Sequence, residues 1–138
     1  MWEPQGMYSK FLLQQPVILF GENAIMGLKS YPASRVAVIH GSSLNEDYKT
    51  KVLKSLSAFE ISFVEKKWQG EPTLNSLSET IADIEKIKPD MIIAIGGGSV
   101  IDGAKMVRTY YEFPFFDIND TKFSMLNWKT NFVAIPTT

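Results

Sequence analysis

Residues 91–105 read MIIAIGGGSVIDGAK, an apolar run that passes directly into three glycines and then into a segment of helical period. A short apolar run rich in β-branched residues is typical of a strand that is buried on both faces, as in parallel sheets. We therefore predict a strand over residues 91–95 and a helix from about residue 99 to residue 111. The glycines between them predict a tight turn at the helix N-terminus.

The same alternation continues outward along the chain. Apolar runs predict further strands over residues 17–20, 35–39, 61–64 and 131–135. Apolar residues at spacings of three and four predict further helices over residues 23–30, 44–56 and 74–87. This order favours an α/β fold, in which a parallel sheet is covered by helices on both faces. Right-handed crossovers then give a Rossmann-like or a flavodoxin-like topology.

Composition argues against several classes of partner. The 138 residues carry a formal net charge of -1, which gives no electrostatic reason to expect nucleic acid or an anionic membrane. No apolar run approaches the roughly 20 residues of a membrane-spanning helix, and residues 1–15 lack the pattern of a signal peptide. The absence of cysteine excludes disulfides and thiolate metal sites and fits a cytoplasmic protein. This length predicts one domain.

An aromatic-rich segment, residues 112–130, separates the last predicted helix from the last predicted strand. Its large aromatic side chains are Phe113, Phe115, Phe116, Phe123 and Trp128. Exposed aromatic surface is a liability in a lone domain, so the segment predicts a surface that another domain or subunit covers. The alternative is an irregular loop that folds back on its own core. Because the chain stops at Thr137–Thr138, directly after a strand, we expect the sequence to continue in a longer parent protein.

The glycine turn has the features of an anion-binding site. Backbone N–H groups in the first turn of a helix lack an intrahelical acceptor and carry partial positive charge. Glycines let a pyrophosphate approach that backbone closely, and Ser99 adds a hydroxyl donor. The pattern is neither the G-x-G-x-x-G fingerprint nor a P-loop. The alternative is a tight turn that binds no ligand.

The segment GGGSVIDGAK, residues 96–105, resembles the GGGSxxDxAK motif of the iron-containing (group III) alcohol dehydrogenases. Three further segments resemble that family in the same order: residues 15–21, Pro72–Thr73, and FVAIPTT at residues 132–138. The resemblance covers nearly the whole chain, but only the N-terminal, cofactor-binding domain of the family. It implies a Rossmann-like fold and a nicotinamide dinucleotide, NAD(P), as cofactor.

The resemblance also implies which residues contact the cofactor. The pyrophosphate should be held by the glycine turn, which comprises Gly96, Gly97, Gly98 and Ser99. Thr137 and Thr138 should lie near the cofactor at the end of the next strand. Asp102 should orient the glycine turn or face the nicotinamide; alternatively, it is an acidic residue that the helix dipole favours in a first turn.

The chain departs from the family pattern at two places. Many members have a carboxylate after the second strand that binds the adenosine ribose; here the residues at that end of the site are His40, Gly41, Ser42 and Ser43. A carboxylate there favours NAD and repels a 2′-phosphate. Its absence, with two serines and a helix start near Leu44 as donors, slightly favours NADP. The second departure is Glu71, where the family often has asparagine, which puts one polar cofactor contact in question.

The family's metal site, one aspartate and three histidines, lies in a helical C-terminal domain that this chain does not contain. The resemblance therefore implies that residues 1–138 are the N-terminal dinucleotide-binding domain of a longer enzyme. Iron or zinc and the alcohol or aldehyde substrate would belong to that parent. His40 is the only histidine, so we expect no metal ligand, no catalytic residue and no activity in this chain alone. A homodimer is left open.

Two other functions compete with this interpretation. The chain could be a free-standing nucleotide-binding module without catalysis, although the aromatic segment and the abrupt end argue against it. It could also be a flavin-binding, flavodoxin-like domain. In that class, however, the phosphate loop follows the first strand, whereas the glycine turn here follows the fourth.

Overall fold

The computed structural model describes residues 17–18, 28, 33–117 and 128–137 of the chain. The strands are β1 (Val17–Ile18), β2 (Arg35–His40), β3 (Glu60–Glu65), β4 (Met91–Gly96) and β5 (Asn131–Pro136). The helices are α1 (Glu46–Ser55), α2 (Leu74–Ile87) and α3 (Gly98–Glu112). The predicted helix over residues 23–30 lies outside the described residues except for Leu28, which is buried. No helix in the described part of the chain is long and apolar enough to cross a membrane.

All strand pairs are parallel, and the strands lie in the order β1-β5-β4-β2-β3. The chain moves from β2 outward to β3, then crosses back over β2 to β4 and continues in the other direction to β5. The direction of crossing therefore reverses between β2 and β4. In doubly wound sheets, ligands bind in the crevice at the carboxyl ends of the strands at such a reversal. The predicted α/β class is confirmed, and the order of the four long strands is the flavodoxin-type variant of it.

Helices cover both faces of the sheet, as predicted. On one face, Val52 and Leu56 of the α1 region pack with Val38 and Ile93. On the other face, α2 and α3 pack against β2, β4 and β5, with Leu77 and Ala104 among the buried residues. Every residue of β4 is buried, because this central strand has strands at both edges and apolar side chains on both faces. The apolar run that predicted a doubly covered strand is explained by this position.

Local signals fix the ends of the helices. Thr73 caps α2 and forms a capping box with Ser76, whose backbone N–H donates to the Thr73 hydroxyl. Lys88, in the left-handed conformation, ends the same helix one residue before Pro89. The helix α1 starts later than predicted: Asn45 is its N-cap and accepts from the Tyr48 N–H at 2.8 Å. The prediction missed the capping signal of an asparagine followed by Glu46 and Asp47.

The aromatic segment is described at its two ends only, because residues 118–127 lie outside the described residues. Both described ends contact the C-terminal half of α3. The Arg108 guanidinium lies 4.1 Å from the Trp128 ring centroid, and Phe113 packs edge-on against Trp128. The Glu112 carboxylate accepts from the backbone N–H of Thr130 at 2.8 Å. These ends therefore fold back on the domain, whereas Phe115 is 97% exposed.

Candidate functional site

The predicted site residues that the structure describes lie at the carboxyl edge of the sheet. They follow the adjacent strands β2 and β4, between which the direction of the crossovers reverses. The turn after β2 lies against the start of α3, since a Cβ on Gly41 would lie 3.4 Å from a Val100 methyl. The end of β5 closes the same edge, because the Thr137 N–H donates to the Gly96 carbonyl at 2.9 Å. Thr138 lies outside the described residues. Segments that are distant in sequence thus form one crevice.

The three glycines of the turn have different physical reasons to be glycine. Gly96 has φ of +156°, and a Cβ there would lie 2.8 Å from a Val100 methyl, so the fold itself requires glycine. Gly97 has φ of -81° and ψ of -172°, which any residue adopts, and the nearest obstacle to a Cβ is the Thr137 carbonyl at 4.0 Å. Among the described residues, a Cβ on Gly98 would meet nothing within 4 Å. The fold therefore explains the first glycine and leaves the other two unexplained.

The N-terminus of α3 is open. No side chain in the described part of the chain caps it, and Gly97 and Gly98 are exposed. The Ile101 N–H donates to the Gly97 carbonyl at 3.1 Å, so the N–H groups that precede it in the first turn have no intrahelical acceptor. These groups are positively polarised donors. The edge of the sheet thus presents backbone donors that no side chain of residues 33–117 and 128–137 obstructs, and such donors bind phosphate.

Ser99 and Asp102 differ in how the structure places them. The Ser99 hydroxyl, predicted as a donor to phosphate, donates to the Gly70 carbonyl at 3.1 Å. Asp102 is exposed and has no hydrogen-bond partner among the described residues. Because α3 begins at Gly98, Asp102 is beyond the first turn, which contains no acidic residue. The explanation of Asp102 by the helix dipole is therefore weakened, since that effect is confined to the first turn.

The next glycine of the motif, Gly103, has a packing role that the sequence analysis missed. Trp68, in the segment between β3 and α2, is 2% exposed and lies against the α3 backbone at Gly103. A Cβ on Gly103 would overlap the indole ring, with the Cε2 atom at 2.6 Å. Glycine is needed here because the helix and the indole approach closely. This contact sets the distance between α3 and the segment that precedes α2.

On the other face of the crevice, the turn after β2 and the start of α1 border a small cavity. Its volume is about 140 Å³, and its lining residues are Ser43, Leu44, Asn45, Tyr48, Ile95 and Thr137. The lining combines an aromatic ring and two aliphatic side chains with polar groups. Burial raises the pKa of the Tyr48 hydroxyl above its ordinary value of 10.0, so this group is a neutral donor at pH 7. Ser43 and Thr137 are thus brought together as predicted site residues.

His40 and the start of α1 differ from their predicted placement. The His40 ring is 2% exposed, lies edge-on to Phe63, and has Nδ1 at 2.9 Å from the Gly41 carbonyl. The ring therefore offers a ligand no open surface in this structure. The predicted helix start near Leu44 lies slightly too early, because Asn45 is the N-cap and its side chain accepts from the Tyr48 N–H. In addition, Glu46 and Asp47 put negative charge in its first turn.

Comparison with known proteins assigns the family. The family model described as iron-containing alcohol dehydrogenase matches residues 16–138. The chain belongs to this family. The NADPH-dependent butanol dehydrogenase of Clostridium saccharobutylicum is 32% identical over 130 residues, which cover 88% of this chain and 33% of that protein.

Solved structures of the family share the fold. The iron-containing alcohol dehydrogenase of Thermococcus thioreducens superposes with a TM-score of 0.72 at 24% identity, over 89% of this chain and 36% of that one. The NADH-dependent butanol dehydrogenase A of Thermotoga maritima superposes with a TM-score of 0.60 at 20% identity, over 87% of this chain and 32% of that one. For the first four relatives matched by sequence, the matched part is 9–33% of their length. The chain thus matches about a third or less of the length of each of these four relatives.

The residues present do not fit the metal that the family name implies. Within residues 17–18, 28, 33–117 and 128–137, no three His, Cys, Asp or Glu side chains are placed to hold a metal ion. The full sequence offers one histidine and no cysteine, and that histidine is buried against Phe63. Neutral imidazoles, thiolates and carboxylates are the usual protein ligands of iron and zinc. No reaction step through a metal is therefore assigned to this chain.

Proposed function

We propose that residues 1–138 are the N-terminal domain of a longer iron-containing alcohol dehydrogenase and bind its nicotinamide dinucleotide. The observation that carries this proposal is the pair Gly97 and Gly98. Neither needs to be glycine for the fold, yet both stand at an uncapped helix N-terminus. Glycine loses more backbone entropy on folding than other residues. A ligand that must approach the backbone closely supplies the missing reason.

In this proposal the chain binds and orients the cofactor. The first-turn N–H groups of α3 hold the pyrophosphate, and the bare backbone at Gly97 and Gly98 admits it. The adenosine end of the cofactor would extend toward the cavity that Tyr48 and Thr137 line. When bound, the cofactor supplies hydride exchange at its nicotinamide ring. The carboxylate of Asp102 is exposed and has no hydrogen-bond partner among the described residues, so in this proposal it faces the nicotinamide and does not orient the turn.

For cofactor choice, we propose that NADP(H) binds at least as tightly as NAD(H). Residues 40–43 contain no carboxylate to hold the ribose diol of NAD or to repel a 2′-phosphate. Ser42 and Ser43 are exposed in the turn and offer hydroxyl donors. The capped and acidic start of α1 limits the preference to a small factor. One relative is named as NADPH-dependent and another as NADH-dependent, so the names of relatives do not decide between the two cofactors.

The reaction itself is assigned to the longer parent. We propose that the parent interconverts alcohols and aldehydes, with its metal held outside residues 1–138, and that the isolated chain has no dehydrogenase activity. A cytoplasmic location and a homodimer remain predictions. The competing function, a free-standing nucleotide-binding module, is tested by the encoding DNA: an open reading frame that ends at codon 138 would support the module and contradict the longer parent.

The direct test is calorimetric titration of the purified chain with NADPH, NADH and FMN at one fixed salt concentration. We expect both dinucleotides to bind, FMN to bind far more weakly, and NADPH to bind at least as tightly as NADH. Preferred binding of FMN would overturn the proposal in favour of a flavin domain. A tenfold or greater preference for NADH would overturn the cofactor choice alone. Turnover of an alcohol by the isolated chain with added iron or zinc would overturn the assignment of catalysis to the parent.

A further inference from the structure

The segment between β3 and α2, residues 66–73, forms a wall beside the glycine turn. Two contacts hold its first half: Trp68 is buried beneath Gly103, and the Lys67 ammonium bonds the Asp83 carboxylate at 2.7 Å. Its last residue, Thr73, caps α2. Between these anchors, residues 69–71 are exposed. The segment is thus fixed at both ends and projects at its middle.

One side chain of the glycine turn holds that projecting middle. The Ser99 hydroxyl donates to the Gly70 carbonyl at 3.1 Å, and no other hydrogen bond of the described residues joins the projection to α3. Gly70 itself has φ of +63°, so the chain turns sharply at this contact. Glu71 follows directly, is exposed, and pairs with no cation among the described residues. The unpaired Glu71 carboxylate therefore belongs to the residue that follows Gly70, whose carbonyl is hydrogen-bonded to Ser99 of the glycine turn.

We propose that Glu71 is an electrostatic brake on dinucleotide affinity and that Ser99 is the positioning residue that keeps it in place. The inference rests on the proposed function, because the phosphates repelled are those of the bound dinucleotide. Like charges in water repel over about a Debye length, roughly 8 Å at physiological salt. Ser99 thereby acts on Glu71 through Gly70, because its hydroxyl donates a hydrogen bond to the Gly70 carbonyl.

The size of the effect follows from Coulomb's law. In this proposal the Glu71 carboxylate lies about one Debye length, roughly 8 Å, from the pyrophosphate. Two unit charges that far apart in water change an affinity by about twofold, less after screening. For a pyrophosphate with two negative charges, removal of the Glu71 charge should tighten binding about two- to threefold at 50 mM salt. The gain should fall below about 1.5-fold at 0.5 M salt, where the Debye length is only a few ångströms.

The experiment measures NADPH affinity of the full chain by calorimetry at both salt concentrations. The variants are Glu71→Gln and Glu71→Lys, each alone and combined with Ser99→Ala. Glu85→Gln and Glu85→Lys are the matched controls, since Glu85 is exposed near the opposite end of α2 and its substitution changes the net charge equally. Ser99→Thr keeps the hydroxyl and tests rescue.

We expect Glu71→Gln to raise the NADPH affinity about two- to threefold at 50 mM salt. Glu71→Lys changes the charge by two units, so its factor should be about the square of that one. Both Glu85 variants should bind NADPH with nearly the affinity of the unmodified chain. In the Ser99→Ala background the gain should shrink by at least half, and Ser99→Thr should restore it. Equal effects of the Glu71 and Glu85 variants would overturn the brake. An undiminished Glu71 gain in Ser99→Ala would overturn the positioning role. If the unmodified chain binds no dinucleotide at all, the proposed function fails instead.

Discussion

Replacement of Gly103 by alanine should destabilise the domain, because the indole of Trp68 occupies the space of the new methyl group. The added Cβ would overlap the ring and lie 2.6 Å from Cε2 and 3.0 Å from Cη2. Neither partner has room to move, since Trp68 is 2% exposed and Gly103 is on the buried face of α3. The added methyl group can therefore be accommodated only if the helix or the indole ring shifts.

The magnitude follows from two opposing effects. Overpacking of a filled core costs about 1–3 kcal/mol, and a rigid ring against a helix backbone places this case near the upper end. Alanine in place of glycine inside a helix returns about 1 kcal/mol. The expected net loss is therefore about 1–2 kcal/mol in the free energy of unfolding. For a chain of this size that corresponds to a fall of roughly 3–8 °C in Tm.

The assay is denaturant unfolding followed by circular dichroism, with Gly98→Ala as the matched control. A Cβ on Gly98 meets nothing within 4 Å among the described residues, so this control should be as stable as the unmodified chain or more stable by up to about 1 kcal/mol. In a Trp68→Phe background, which removes the second ring, Gly103→Ala should cost less than it does alone. A Gly103→Ala variant as stable as the unmodified chain would refute the packing argument.

Two further predictions concern the crevice and the opposite edge of the sheet. Gly41→Asp, whose Cβ would sit in ordinary contact 3.4 Å from Val100, should shift the NADPH-to-NADH affinity ratio at least tenfold toward NADH in paired titrations; an unchanged ratio would place the adenosine ribose elsewhere. Asp90 concerns acid stability. Burial raises the pKa of Asp90. The hydrogen bonds that its carboxylate accepts from Arg35 and Ser34 lower the pKa by more than burial raises it, so the pKa lies below its ordinary value of 3.8. A lowered folded-state pKa means that the stabilisation is complete above 3.8 and is lost as the pH falls through the folded value. Asp90→Asn should therefore lower stability at pH 7 and reduce the difference in unfolding midpoint between pH 7 and pH 3; an equal loss at both pH values would contradict the assignment.

The elements of this fold were predictable where a residue pattern has only one good structural solution. The run at residues 91–95 lies between two strands and two helix layers, and nothing but a buried strand accommodates so many apolar side chains. The apolar stripe that ends before Pro89 likewise gave α2. The strand order was not predictable in the same way, because it depends on which crossovers pack best rather than on any one segment.

The candidate site was predictable only in part. Backbone donors after a buried strand are visible in sequence, since three glycines mark the turn. The contact of Trp68 with Gly103 and the bond of Ser99 to Gly70 join residues about 30 positions apart, and no periodicity reports such contacts. His40 was misjudged because a polar residue at a strand end was expected to face the crevice, whereas its ring packs against Phe63. The late start of α1 was readable from Asn45 and the acidic residues after it.

The measurement that tests the account most directly is the affinity of Gly97→Val for NADPH, paired with its thermal unfolding. Gly97 has an extended backbone and space around its Cβ, and β-branched residues favour such a conformation. We therefore predict a folded variant with a Tm within a few degrees of the unmodified chain and no measurable NADPH binding, because the side chain occupies the place of the pyrophosphate. An equally well folded variant with unchanged NADPH affinity would contradict the account and leave the glycine turn a structural feature only.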